Sequence, residues 1–359
     1  MHSLTVTAAT DHSAWDAFLA AQRFRPFLQS WTMGEVYRDV GQQPIRLEAN
    51  DGTRVRGICL ALDVPARRGR HLSVPYGPVV DPNDREAAAA ILEALSTEAR
   101  ARGCSFVRLS PHWPRESAPP PGTLPAPLHL LAEEIWYLPL RSVDPWKTEG
   151  GSAPRTEEEL LAGMRKTVRN LIRRAEKEGV AVEASPDPVA DLRHFIALHD
   201  ETRKRHKFTP YSNAFFRAQV ERFAPRKECT LYLARWQGTV IAASIHMHAF
   251  GETSYHHGAS SAGHPKIPAS QLLQWTAIKD ALRRGDGVYN FWGIAPQVSG
   301  ADGERAIADR RHPFAGVTLF KTGFGGELLP LLHCRDLPLS PTYRLTRAFE
   351  FLRKWKRGF

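Results

Sequence analysis

Residues 231–250, LYLARWQGTVIAASIHMHAF, decide the fold. Apolar runs on either side of Gln237-Gly238 mark two strands joined by a tight turn. Next, SYHHGASSAGHPKIPASQLLQWTAIKDALRRG (254–285) reads as a third strand, a loop, and a helix stopped by Gly285, and VYNFWGI (288–294) as a further strand. The same order stands earlier. RLEANDGTRVRGICLALDV (46–64) forms a hairpin on an Asn50-Asp51-Gly52 turn; SVPYGPVVDPNDREAAAAILEALSTEARARG (73–103) supplies strand, loop and helix; CSFVRLSP (104–111) closes the unit. In each copy about fifty residues separate the hairpin glycine (Gly52, Gly238) from the glycine ending the helix (Gly103, Gly285), a period that marks a duplicated supersecondary unit. Two similar lobes imply a cleft between them as the place for a ligand.

The length of 359 residues suits two domains, and a composition of 42% hydrophobic and 24% charged residues is ordinary for a soluble globular chain. The longest apolar run, near Val240–Ile245, is too short to span a bilayer. MHSLTVTAATDHSAW at the start lacks the basic-then-apolar pattern of a signal peptide. Cys59, Cys104, Cys229 and Cys334 are scattered and form no CxxC pair, which predicts reduced, mostly buried thiols and a cytoplasmic setting. The formal net charge of +10 fits either an arginine-rich soluble enzyme or a polyanionic partner such as tRNA, a nucleotide diphosphate or anionic lipid.

Along the first lobe, short helices are expected near Trp15–Ala21 and over 27–41, with Ser30 as an N-cap and Gly41 as a stop. Asp84 is expected to cap the alanine-rich helix, and 111–127 reads as a proline-rich surface loop. A linker over 141–155 leads to a helix from Thr156 to Glu178. Thr156 and Glu159 form its capping box, and Met164, Val168, Ile172 and Ala175 its apolar side. Its arginines and lysines fit either a solvated face or a hold on tRNA phosphates. Helices continue through 191–205 and 213–223. Residues 317–332 read as a strand turning into another. The tail, TYRLTRAFEFLRKWKRGF (342–359), is a basic helix with Leu345, Phe349 and Leu352 on one side. That stripe packs on the first lobe in the preferred reading and rests on an anionic membrane in the other.

Hairpin, third strand, loop, helix and closing strand is the core order of the GNAT acyltransferase fold. In that fold the helix N-terminus faces the phosphates of an acyl carrier; here Pro268 precedes an expected Ser270 cap, without a glycine-rich phosphate signature. More specifically, the chain resembles the Fem-type (FemABX) peptidoglycan bridge-forming aminoacyltransferases. The likeness rests on KTVRNLIRRAEKEGV (166–180), on GAS, LLQW, AIK and F-x-G-I within 255–294, and above all on LFKTGFGGE (319–327), near the family's F-K-x-G-F-G-G. FLQSWTMGEV and YGPVVD in the first lobe extend it. The absence of a long heptad segment points to the compact form without a coiled-coil arm.

The resemblance implies an α/β chain of two tandem GNAT-like domains with an inter-domain cleft: 1–150 plus about 335–359, and 151–334. It implies transfer of an amino acid (Gly, Ala or Ser) from aminoacyl-tRNA to the side-chain amine of a UDP-linked or lipid-linked muropeptide. Aminoacyl-tRNA is then a co-substrate, no resident cofactor is needed, and peripheral contact with the inner membrane face is a further expectation. Lys321, beside Phe320, is the candidate cation for developing negative charge, with Gly323, Gly325 and Gly326 allowing close approach. Arg205 and Tyr211 fall in TRKRHKFTPY (202–211), which matches a segment touching the precursor diphosphate; arginine's planar fork suits phosphate. Arg38 is a further candidate, Tyr255 matches an aromatic that meets the peptide stem, and His257 stands where another aromatic is common. Ser110 replaces an aspartate frequent in the family, so no general base is assigned.

Other readings stand beside this one: an acyl-CoA-dependent N-acyltransferase on the same fold, and a non-enzymatic RNA- or membrane-binding protein. His246 and His248 share a strand face, but no third ligand at a metal-site spacing joins them, and neighbouring His256 and His257 are expected on opposite faces; no metal is predicted.

Overall fold

The computed structural model describes residues 4–66, 69–148, 150–206, 211–298, 307–308 and 312–357. In chain order its elements are β1 (Thr5–Ala8), α1 (His12–Ala20), α2 (Trp31–Asp39), β2 (Pro44–Asn50), β3 (Val55–Val64), β4 (His71–Pro75), β5 (Val79–Val80), α3 (Arg85–Ala101), β6 (Phe106–Ser110), β7 (Leu124–Pro125), β8 (Glu134–Pro139), α4 (Glu157–Gly163), α5 (Lys166–Lys177), β9 (Ala181–Ala184), α6 (Pro188–His206), α7 (Asn213–Phe223), β10 (Cys229–Trp236), β11 (Thr239–Ala249), β12 (Glu252–Ser260), α8 (Ala269–Arg284), β13 (Val288–Gly293), β14 (Gln297–Val298), β15 (Ile307–Ala308), α9 (Ala315–Thr322), β16 (Glu327–Pro330), β17 (Arg335–Pro338) and α10 (Tyr343–Arg357). They form two units, Met1–Glu133 with Pro330–Phe359, and Glu134–Leu329. The division falls before the expected 150/151 because β8 pairs antiparallel with β13 (Val288↔Pro139, Tyr289↔Leu138) and so belongs to the second sheet.

In the first unit the strand order is β1-β2-β3-β4-β6-β17-β7, with β5 also pairing β3. Among the described residues only β4 and β6 run parallel, and α3 makes the crossover between them. Asp84 caps α3 by accepting from Ala87 N at 3.0 Å. Its Ile91, Leu92, Leu95 and Ala99 pack on Leu47, Cys59, Leu72, Val74 and Val107 of the sheet. Each such buried aliphatic side chain contributes about 1.5–3 kcal/mol. Ser30 caps α2 through Met33 N (3.1 Å). Just before it, Gln29 is fully buried and bonds Leu60 N, Leu60 O and Pro75 O at 2.8, 3.0 and 2.7 Å. An amide with donors and an acceptor is what those unpaired strand groups require.

The C-terminal segment completes this unit, with β17 between β6 and β7. Arg108 donates to Asp336 at 2.8 and 2.9 Å and to Glu350 at 3.0 and 2.6 Å, and Tyr343 donates to Asp336 at 2.8 Å. Helix α10 therefore docks through polar groups. Tyr343 and Thr346 are its buried residues, while Leu345, Phe349 and Leu352 are exposed. The preferred expectation, an apolar stripe packed on the first unit, is reversed.

The second unit repeats the plan: order β16-β8-β13-β12-β11-β10-β9, with β12 and β13 parallel and α8 crossing between them. Leu272, Leu273, Trp275, Ile278 and Ala281 of α8 share one core with Val168, Ile172 and Ala175 of α5 and with Tyr232, Ile241 and Ala242 of the sheet. The repeat shows in the backbone: the hairpin glycines Gly52 and Gly238 have φ of 86° and 78°, and the helix-ending Gly103 and Gly285 have 69° and 81°. Side chains resist that region, so glycine recurs there.

Three local expectations change. The helix expected from Thr156 is two, α4 and α5. The capping box forms, but Met164 turns extended (ψ 152°), keeping its side chain in the core while Arg165 N bonds Gly323 O at 2.9 Å. Residues 315–322 form α9 rather than a strand; Thr318 Oγ1 bonds Phe314 O at 2.9 Å, one helical turn back. Finally, α8 starts after Pro268 without a side-chain cap, and Ser270 lies inside the helix. No helix among the described residues is long and apolar enough to cross a membrane.

Candidate active site

Lys321 sits in the last turn of α9, and only 7% of it is exposed. Its Nζ donates to the Gly293 carbonyl at 2.7 Å and lies 5.8 Å from the centroid of the Tyr255 ring. Among the described residues no carboxylate forms an ion pair with it. Burial therefore disfavours the ammonium and brings its pKa down to about 7. Arg165, at the entry of α5, bonds Leu319 O at 2.9 Å and also the Thr322 hydroxyl, fixing α9 where Lys321 emerges. Phe320, partly buried, turns to the core and meets Phe324 edge-on at 5.4 Å.

The acceptor carbonyl is positioned by strain. Trp292, immediately before Gly293, has φ of 68°, a conformation bulky residues rarely adopt. It is held by Trp292 N donating to Asn290 Oδ1 at 2.8 Å, where the β13–β8 register shifts. Trp292 lies within the F-x-G-I segment, and no propensity signal in the sequence marks a tryptophan in the left-handed region.

Behind Lys321 runs a buried polar line. Tyr255 stacks on His246 at 5.4 Å, and burial lifts its pKa to about 12. Tyr289 gives its one proton to Gln274 Oε1 (2.6 Å) and so accepts from His246 Nε2–H (2.7 Å). Desolvation holds His246 down at about 3, a neutral imidazole at pH 7. His248 bonds the Thr253 and Thr230 hydroxyls at 3.1 and 2.8 Å. Among the described residues no three His, Cys, Asp or Glu gather as a metal site.

The β12–β11 register shifts between Ile245 and His246, pairing Ile245 with His257 and His246 with Tyr255. The bulge leaves His256 as the extra residue. His256 and His257 therefore converge, ring centroids 3.9 Å apart, instead of lying on opposite faces as expected. His256 meets Trp292 edge-on at 4.9 Å. His257, buried, faces Gln219 Oε1 at 3.2 Å and the Tyr211 ring at 5.4 Å; Tyr211 is exposed and stacks on Phe215.

The second unit thus brings Lys321, Tyr255, His257 and Tyr211 into one neighbourhood and adds His256, Trp292 and the Gly293 carbonyl. Arg205 lies at the end of α6, and its side chain falls outside the described residues. Arg38, on α2 of the first unit, is exposed and paired with Glu35, which also binds buried Arg46 at 2.7 Å. The glycines after Lys321 approach backbone: a Cβ on Gly326 would lie 2.3 Å from Tyr137 O, and one on Gly325 2.9 Å from Gly163 O.

Each unit carries a sheet with a parallel pair bridged by a helix, the GNAT arrangement, and residues 162–302 match the acetyltransferase (GNAT) domain model. The chain is a tandem GNAT-type protein. Residues 10–119 match the FemAB family model. The crystal structure of FemX is similar in fold, with a TM-score of 0.77 at 18% identity over 96% of this chain and 99% of that one. The C-terminal domain of a putative lysylphosphatidylglycerol synthetase from Agrobacterium fabrum gives 0.57 at 14% identity, covering 96% of both chains. A tandem GNAT protein from the clavulanic acid biosynthesis pathway gives 0.51 at 12% identity over 94% and 99%. No curated protein matches.

Proposed function

We propose that this chain is a Fem-type transferase that moves an aminoacyl group, glycyl, alanyl or seryl, from its tRNA ester to the side-chain amine of a UDP-linked or lipid-linked peptidoglycan precursor, in the cytoplasm. The observation that carries the reading is Lys321: the lysine of F-K-T-G-F-G-G is an amine buried beside Tyr255 and without a carboxylate partner among the described residues. In the reaction the precursor amine attacks the ester carbonyl. A C–N bond forms, the C–O bond to the terminal ribose breaks, the amine loses a proton and the ribose oxygen gains one. The ester is already activated, so the reading requires no resident cofactor, and holding both substrates in line supplies much of the rate.

An amine balanced near pH 7 gains its proton when an anion arrives, because opposite charge favours the ammonium. Lys321 thereby supplies positive charge at the phosphate or developing oxyanion. The aromatic wall of Tyr211, His257, His256 and Trp292 offers stacking surface to the peptide stem. Mass spectrometry of muropeptides from cells with and without this protein tests the reading: a bridge residue missing from the deletion supports it, and identical muropeptides overturn it.

The GNAT match over 162–302 favours a second reading, N-acylation from acyl-CoA. A thermal shift with coenzyme A and none with charged tRNA selects that one.

A further inference from the structure

Helix α10 meets its own unit through polar groups and turns its apolar side to solvent. Tyr343, Thr346 and Glu350 face inward, with Glu350 held by Arg108 and Arg347 reaching Pro125 O at 2.7 Å. On the opposite side Leu345, Phe349, Leu352 and Trp355 are 74, 42, 60 and 81% exposed. These positions recur at helical spacing along one stripe. Arg344 and Arg353 flank that stripe, and the helix's one acid, Glu350, is consumed by Arg108.

We infer that α10 docks on an anionic bilayer surface, its apolar stripe at the headgroup–acyl boundary and its basic residues on acidic headgroups. Charge complementarity selects this occupant: a basic helix with an apolar side ending in an exposed tryptophan matches an anionic interface. At 15 residues it is too short to cross the bilayer. The polar inner side explains how it stays fixed to the unit while its apolar side remains available. The inference goes beyond the transfer reading and does not depend on it.

The test is flotation of the full chain with vesicles of phosphatidylcholine alone or with about a third phosphatidylglycerol, where each basic residue contributes about fivefold. Binding is expected on the anionic vesicles only. Replacing Leu352→Glu with Trp355→Glu should lower it at least about a hundredfold. Arg344→Gln with Arg353→Gln, which leaves the apolar side intact, should lower it about ten- to thirtyfold. An unchanged melting temperature confirms that the variants fold. No binding, equal binding to neutral vesicles, or wild-type binding by the Leu352/Trp355 variant overturns the proposal. So does a dimer in solution that the same variant dissolves, which assigns the stripe to a second copy.

Discussion

The Lys321 Nζ stands 2.7 Å from the carbonyl oxygen of Gly293, a buried ammonium whose bonded partner is a peptide dipole rather than a carboxylate. Such a group costs stability while charged. Because burial lowers its pKa from 10.5 to about 7, the folded chain binds fewer protons than the unfolded chain between those values. Stability from this group therefore rises with pH across about 7 to 10. Lys321→Met should raise stability by about 1–3 kcal/mol near pH 6 and flatten that rise, as followed by urea unfolding at a series of pH values.

The buried histidines give a second pH dependence with the same sign in a different window. Desolvation holds His246 at about 3 and His248 at about 2, against 6.5 when unfolded. The unfolded chain takes up these protons first, so stability falls as pH drops below about 6.5, by about 1.4 kcal/mol per unit for each histidine. In the same unfolding series His248→Gln should lower the acid-side slope by about one proton.

Gly258, in the GAS segment, lies under the Tyr255 ring. A Cβ there would meet Tyr255 Oη at 1.8 Å and Cζ at 2.5 Å. Gly258→Ala should destabilise by about 1–3 kcal/mol and displace Tyr255 from Lys321. In a Tyr255→Ala background the cost should drop below about 1 kcal/mol, a coupling that a double-mutant cycle measures directly.

Arg108 gathers Asp336 and Glu350 in the first unit, and its side chain is 7% exposed. Arg108→Ala leaves Asp336, fully buried, without its cation. The expected loss is about 3–5 kcal/mol. Limited proteolysis should then cut within the C-terminal segment earlier than in the wild type.

Much of this fold was legible because the duplicated unit writes its turns in chemistry: glycine at 52, 103, 238 and 285, where the backbone turns left-handed, and Ser30, Asp84 and Thr156 as caps. Local patterning failed where tertiary packing decides. The run around Leu319 and Phe320 alternates like a strand, yet its exposed Val317 and Leu319 lie on a short helix held by Arg165. Met164 keeps the helical spacing while the helix breaks at it. Lys321 is singled out by the resemblance of its segment to F-K-x-G-F-G-G; a glycine-rich run alone fits a surface hairpin equally, and its burial comes from packing against distant strands. The convergence of His256 with His257, and the strained Trp292 beside the Gly293 carbonyl, come from bulges whose register depends on distant partner strands.

The most direct measurement combines purified protein, charged tRNA and a muropeptide precursor, with product mass read by spectrometry for the wild type and for Lys321→Ala. The account predicts a precursor heavier by one aminoacyl residue, formed at least about a hundredfold more slowly by the folded variant. An unmodified precursor with every charged tRNA, or equal rates for the two proteins, would contradict it.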